Sequence, residues 1–193
     1  MFVELKEKYK KWKQFKLDLR SKSRWKYFVI DLVETVLIAL IFALLIRKYI
    51  IQTSLVPTGS MIPTLNIRDR LFVNKFIYRF SDPQRGHIVV FESPHQDGRE
   101  YVKRCIGLPG DIIEIQQGRV YVNGKLLVIA GVIIQEDYSY SEPIPVPENS
   151  YFMLGDNRGN SQDSRYWGFV PRDAVLGEAL FTFWPINRMR VLR

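Results

Sequence analysis

Apolar and polar positions divide the chain into three regimes. In residues 1–28, Leu5, Tyr9, Trp12, Phe15 and Leu19 are spaced 4, 3, 3 and 4, which places them on one face of a helix. Lys6, Lys8, Lys10, Lys11, Lys13 and Lys16 fill most of the remaining surface. From 28 to 51 the pattern becomes nearly continuous apolarity. Its charge-free heart, 35–46, is extended by Val29, Ile30, Leu32 and Val33 on one side and Tyr49, Ile50 and Ile51 on the other. Asp31 and Glu34 lie a helical turn apart near one end, and Arg47 and Lys48 can snorkel at the other. The resulting span of about 20 residues is long enough to cross a bilayer. Beyond residue 52, runs of strand length recur at 70–76, 87–91, 101–106, 111–115, 119–122, 151–154 and 174–184, separated by Gly, Pro, Asn and Asp. Asn123-Gly124 predicts a type I′ hairpin within 120–127. The acidic, tyrosine- and proline-rich stretch 136–150 reads as a surface excursion, and no helix of consequence is expected after the first fifty residues. The fold expected is mainly β: a basic tail (1–27), one transmembrane helix (28–51) and an all-β domain (52–193).

Charge gives the first two regimes an orientation. Residues 1–28 hold ten of the 28 Lys/Arg and three of the 20 Asp/Glu, net +7, so that only +1 of the total +8 belongs to the rest. The basicity is therefore a property of the tail and does not mark a nucleic-acid surface. A basic helix with an aromatic face suits an anionic lipid leaflet, so the bilayer is an expected partner. No small-x-small cleavage site follows the apolar run, which reads as an uncleaved anchor. Ten positive residues before it and two just after put the N-terminus in the cytoplasm and the β domain outside. A single cysteine, Cys105, excludes an intrachain disulfide and the usual zinc-cluster spacings, and no metal or cofactor is expected.

Candidate chemistry begins at Ser60, on a proline-bracketed turn about ten residues beyond the apolar segment. A serine hydroxyl needs a base. The two histidines, His87 at the head of an apolar run and His95 in a polar loop, sit beside no evident orienting carboxylate motif. Lysine can serve if burial keeps its amine neutral. Lys103, among Tyr101, Val102, Cys105, Ile106 and Leu108 and next to the positive Arg104, suits that role. A third stretch, 155–171, is dense in hydrogen-bonding groups and glycine. The Ser23-x-x-Lys26 pair lacks the partner motifs of penicillin-binding enzymes and is treated as chance.

Ser60-Met61-Ile62-Pro63-Thr64, Lys103-Arg104-Cys105-Ile106-Gly107-Leu108-Pro109-Gly110-Asp111 and Gly155-Asp156-Asn157-Arg158 followed by Asn160-Ser161-Gln162-Asp163-Ser164-Arg165-Tyr166-Trp167-Gly168 stand in this order after an anchor. Together they resemble the bacterial type I signal peptidases, from the anchor to the C-terminus. The resemblance implies a membrane-anchored endopeptidase of the inner membrane, monomeric, whose partners are signal peptides of exported preproteins cut after small residues at −1 and −3. It implies Ser60 as nucleophile and Lys103 as general base. The Thr58 hydroxyl and the Ser60 N–H would form the oxyanion hole, and Ser161 would hydrogen-bond the Lys103 amine. Asp156, Asp163, Arg104 and Arg165 would brace the loop by charge pairing. Val56, Met61, Leu65, Tyr101 and Val102 would line the substrate pocket. The chain departs from the family pattern at His87 and Gly159, where relatives commonly have aspartate.

Three other readings bear on the same residues. A self-cleaving repressor shares the Ser-Lys dyad but needs a DNA-binding domain in place of the apolar span. A specialised pilin or conjugation peptidase differs only in substrate. An inactive tethered module would bind export substrates without cutting them.

Overall fold

The structure, a computed structural model, describes residues 2–95, 97–129, 132–134 and 137–192. The chain divides into two compact units, 1–48 and 49–193. In the first, α1 (Phe2–Lys22) and the start of α2 (Arg24–Tyr49) are separated by a break at Ser23. Lys16, one of the lysines on the polar face of α1, reaches α2, its Nζ 2.6 Å from Asp31 Oδ1 and 2.7 Å from Glu34 Oε2. Both acids near the start of the apolar run thus have a counterion. The 26 residues of α2 make it about 39 Å long. Its most apolar window has a mean hydropathy of 2.7 and no buried residue, so it is long and apolar enough to cross a membrane.

The helix that holds the predicted span 28–51 has different bounds. The helix begins earlier, at Arg24, and ends at Tyr49. Ile51 opens a strand, β1 (Ile51–Leu55), which pairs antiparallel with β2 (Arg70–Asn74) from Ile51↔Asn74 to Leu55↔Arg70. The alternation Ile51-Gln52-Thr53-Ser54-Leu55 is a strand pattern that the preceding apolar run concealed.

The second unit continues with β3 (Ile88–Glu92), β4 (Glu100–Gly107), β5 (Ile112–Gln116), β6 (Arg119–Val122), β7 (Lys125–Leu126), β8 (Ser141–Pro145) and β9 (Ser150–Leu154). A single-turn helix α3 (Ser164–Trp167), β10 (Val170–Pro171), β11 (Val175–Trp184) and β12 (Arg190–Val191) complete it. One sheet has the order β1-β2-β11-β3-β4-β9-β10, with β12 beside β11; the other has the order β7-β6-β5-β8. The hairpin at Asn123-Gly124 joins β6 and β7 with both central residues at positive φ, 52° and 75°, as a type I′ turn requires. The run predicted for 70–76 stops at Asn74 because its side chain accepts from the N–H groups of Phe76 and Ile77 and turns the chain. The excursion predicted for 136–150, whose first residue lies outside the described residues, holds β8, paired with β5 through Ile113↔Ile144. Pro143 and Pro145 hide that strand from a pattern search and are tolerated because β8 is an edge.

Burial explains why β3 and β4 lie at the centre. Ile88 and Val90 of β3 pack into one cluster with Val56, Met61, Leu65, Leu71 and Val102. Val89 and Phe91 face the other way, into a cluster with Cys105, Tyr151 and Met153. A strand covered on both faces reads as an unbroken apolar run, which is what 88–91 shows. A third cluster, with Ile106, Ile113, Ile115, Phe152 and Leu154, draws residues from both sheets. The turn carrying Ser60 and the middle of β4 are anchored in the same first cluster, through Met61 and Val102.

Candidate active site

Ser60 is held by contacts above and below its turn. The loop 56–69 closes on itself, with Val56 N donating to Asp69 O and Arg68 N to Val56 O, both at 2.9 Å. Met61 and Leu65 plug its underside into the core, each no more than 1% exposed. From the opposite side the segment after β9 takes hold: Asn157 N donates to Ser60 O and Asn157 Nδ2 to Gly59 O, both at 3.0 Å. Gly155 makes this approach possible. A Cβ there would stand 2.5 Å from Ser60 O and 2.2 Å from Ser161 Oγ, too close for any other residue.

Lys103 enters from β4, where it pairs with Val89 of β3. Its Nζ lies 2.6 Å from Ser60 Oγ, and both side chains are buried. Burial lowers the amine's pKa from 10.5 to about 8; the charges of Asp163 and Asp156 oppose the shift and that of Arg165 adds to it. A positive charge that acts on the amine is that of Arg165, a residue the sequence had placed only in the loop brace. Arg104 is already matched: its Nε and Nη2 meet the Asp156 carboxylate at 2.8 and 2.6 Å, and Nη1 donates to Gly86 O at 2.7 Å. Thr64 Oγ1 donates to the same carboxylate at 2.5 Å, tying the serine loop to the pair.

Ion pairs and hydrogen bonds run through 155–165. Asp163 caps α3 and accepts from Gly155 N at 3.1 Å, and Arg165 Nε reaches it at 2.8 Å. Arg165 also pairs with Asp137 and donates to Arg158 O. Buried Arg158, missed in the sequence, donates from Nε to Gly155 O at 3.0 Å. Asn157 and Thr64 were likewise missed, although both stand inside quoted motifs beside polar neighbours that carried more obvious chemistry.

A cavity of about 880 Å³ opens over Ser60 and Lys103. Thr58, Val56, Met61, Tyr101, Val102 and Ser161 line it, as do Thr53, Ser54 and Leu55 of β1, which the sequence reading had left unassigned. Leu65, expected in the lining, is not there; it is 0% exposed, in the core beneath Met61. Thr58 Oγ1 lies 3.4 Å from Ser60 Oγ. Ser161, expected to hydrogen-bond Lys103, does not: its buried Oγ has no hydrogen-bond partner among the described residues. The amine is instead directed at Ser60. His87 is outside the cavity, its Nδ1 3.2 Å from the Tyr78 hydroxyl and 3.4 Å from Glu178 Oε1. Gly159 borders the cavity, and a Cβ there would meet nothing within 4 Å. Among the described residues no group of His, Cys, Asp and Glu is placed to hold a metal ion.

This arrangement lies within a recognisable lineage. Residues 29–184, more than half of the chain, match the family model described as signal peptidase, peptidase S26. The chain is 45% identical over 168 residues to a probable signal peptidase I-2 of Synechocystis, covering 84% of this chain and 77% of that one. It is 40% identical over 164 residues to a signal peptidase I of Leptolyngbya laminosa (81% and 80% covered). It is 36% identical over 181 residues to a signal peptidase I of Bacillus amyloliquefaciens (89% and 96% covered). The chain belongs to the type I signal peptidases, hydrolases of the serine-protease class that cleave signal peptides from preproteins.

Proposed function

We propose that the chain cuts signal peptides with a Ser60–Lys103 dyad, at a bond preceded by small residues at −1 and −3. The observation that carries this reading is the 2.6 Å approach of Lys103 Nζ to Ser60 Oγ inside a cavity lined by strand residues. A neutral amine accepts the serine proton as Oγ attacks the scissile carbonyl, then donates it to the departing amine. The acyl-serine that remains is hydrolysed by a water deprotonated in the same way. The developing oxyanion is met by the Ser60 N–H and the Thr58 hydroxyl, one such donor contributing roughly 3 kcal/mol. Ser161 Oγ, buried in the cavity with no hydrogen-bond partner among the described residues, is available to the ammonium once Lys103 takes the proton.

Substrate binding follows from unpaired backbone. β1 pairs with β2 on one side, and β4 has β9 beside it only from Arg104 onward, so among the described residues Glu100–Lys103 has a free edge. An extended peptide adds to such edges with alternate side chains pointing into the cavity. Val56, Met61 and Val102 present little exposed surface there, which admits small apolar side chains. The basic residues before α2 orient the anchor with its N-terminus in the cytoplasm. A purified full chain in detergent is expected to release mature protein from a preprotein, whereas Ser60→Ala binds without cutting. Cleavage that survives Ser60→Ala refutes the dyad. In intact spheroplasts, added protease should degrade the β domain and spare the tail; protection of the β domain refutes the orientation.

A further inference from the structure

Gln52 of β1, one residue before the lining residue Thr53, meets Glu100, the first residue of β4 and itself part of the cavity lining. Gln52 Nε2 donates to both carboxylate oxygens of Glu100, at 2.7 and 2.8 Å. The two strands are not neighbours in the sheet, so this is a side-chain bridge between two edges that bound the cleft. The bridge is solvent-exposed, and an exposed polar pair of this kind contributes little and opens readily.

We propose that the Gln52–Glu100 pair is a clasp that an entering peptide opens, and that the freed Glu100 carboxylate reads the charge of the substrate side chain at −4. The inference rests on the peptidase reading above. Glu100 is three residues before Lys103 on β4, about 10 Å at the rise of a strand. A peptide extended along that edge, with its scissile bond at Ser60 and Lys103, therefore sets a side chain about three residues from the −1 residue opposite Glu100. The direction follows from connectivity. β1 begins two residues after α2 ends, and Gln52 is at that beginning. In a preprotein the apolar segment likewise precedes the cleaved bond, so the signal-peptide side occupies the Gln52–Glu100 end.

The chemistry of the reader is one-sided. A carboxylate only accepts hydrogen bonds, so Lys, Arg or an amide at −4 matches it and Asp or Glu is repelled. The adjacent Arg99, which also borders the cavity, is turned toward Asp97, 3.5 Å from Nε to Oδ2, so its charge is partly countered.

The test uses the full chain in detergent micelles and three peptides that differ only at −4, with Lys, Gln or Glu. For the unaltered chain kcat/KM is expected to fall in that order, by about fivefold from Lys to Glu at low salt. The difference should shrink toward unity near 1 M salt, about a 3 Å screening length. Glu100→Lys should reverse the order and Glu100→Gln should level it; each ratio is taken on one protein, so a loss of folded enzyme cancels. Gln52→Ala removes the clasp and should lower KM for all three peptides with kcat kept. A Lys-to-Glu ratio near one in the unaltered chain, or one that survives both Glu100 variants, overturns the charge reading. An unchanged KM in Gln52→Ala overturns the clasp. Failure of the unaltered chain to cut any of the three refutes the peptidase reading itself, a different result from equal cutting of all three.

Discussion

Lys103 and Arg104 are consecutive on β4 yet stand in opposite electrostatic settings. Strand alternation sends them to opposite faces. The Arg104 guanidinium meets the Asp156 carboxylate and the Gly86 carbonyl, whereas the Lys103 amine meets the neutral hydroxyl of Ser60. One ties the loop after β9 to β4. The other is pushed by burial toward the neutral form in which a lysine can take a proton.

If Ser60 and Lys103 act as a unit, their substitutions are not additive. Ser60→Ala and Lys103→Ala should each lower kcat by at least about a thousandfold, and the double variant should be no slower than either. Single-turnover cleavage of a preprotein measures all three. Independent, multiplying losses would mean the two side chains do not share one step.

The pH profile carries the sign of the lysine's role. With its pKa at about 8, the amine holds a proton below that pH, and kcat/KM should fall about tenfold per unit there and level off above it. Stability moves with it. The unfolded chain keeps this proton up to the ordinary value of 10.5, whereas the folded chain releases it at about 8. The unfolded state therefore binds more protons between these values, and stability rises with pH across that window. Lys103→Met should be more stable than the unaltered chain below pH 8, by on the order of 3 kcal/mol. That advantage should vanish as the pH approaches 10.5. Urea midpoints at several pH values decide it; an advantage independent of pH would come from packing alone.

Much of this was legible in the sequence because each signal was local. The strand runs 87–91 and 119–122, the Asn123-Gly124 turn and the apolar helix follow from spacing alone. Ser60 and Lys103 were legible only in combination with the stretch 155–171, since a turn serine or a strand lysine taken alone is ordinary. What failed was non-local. β1 was absorbed into the apolar run before it, since nothing in Ile51 marks where helix gives way to strand until β2 pairs with it. Leu65 looked like a pocket residue by position, but whether an apolar side chain lines a cavity or supports one depends on what packs above it. The Ser161–Lys103 contact failed for the same reason, since a single rotamer decides which hydroxyl the amine meets.

The Arg104–Asp156 pair is buried almost completely, and its two members should respond differently to loss of one and loss of both. Asp156→Ala leaves a guanidinium without its carboxylate in the core, a loss of roughly 3–5 kcal/mol. It also frees Thr64 Oγ1, so activity should fall together with stability. Arg104→Met combined with Asp156→Leu removes both charges and should recover much of the stability without recovering activity. Chemical denaturation and a cleavage assay on the same samples separate the two effects. Equal destabilisation by the single and double variants would mean the pair's charges do not matter to the fold.

Gly155 tests whether the placement of Ser60, and not its mere presence, sets the rate. The residue needs no unusual φ; it is glycine because the chain after β9 passes against the Ser60 turn. An added Cβ would lie 2.2 Å from Ser161 Oγ, 2.6 Å from Ser161 Cβ and 2.5 Å from Ser60 O. The first contact is with the end of a side chain, but the last is with backbone that Asn157 N also holds, so the serine turn itself must move. A shift of about 1 Å at a reacting atom costs on the order of a hundredfold in rate. Gly155→Ala should therefore lose about that much in kcat even where circular dichroism shows the β domain folded. Adding Ser161→Ala relieves only the contact to Oγ, leaving those to Cβ and to the Ser60 carbonyl, and should not restore the rate. Full recovery in that double variant would place the clash on the Ser161 side chain alone and free the Ser60 turn from any dependence on Gly155.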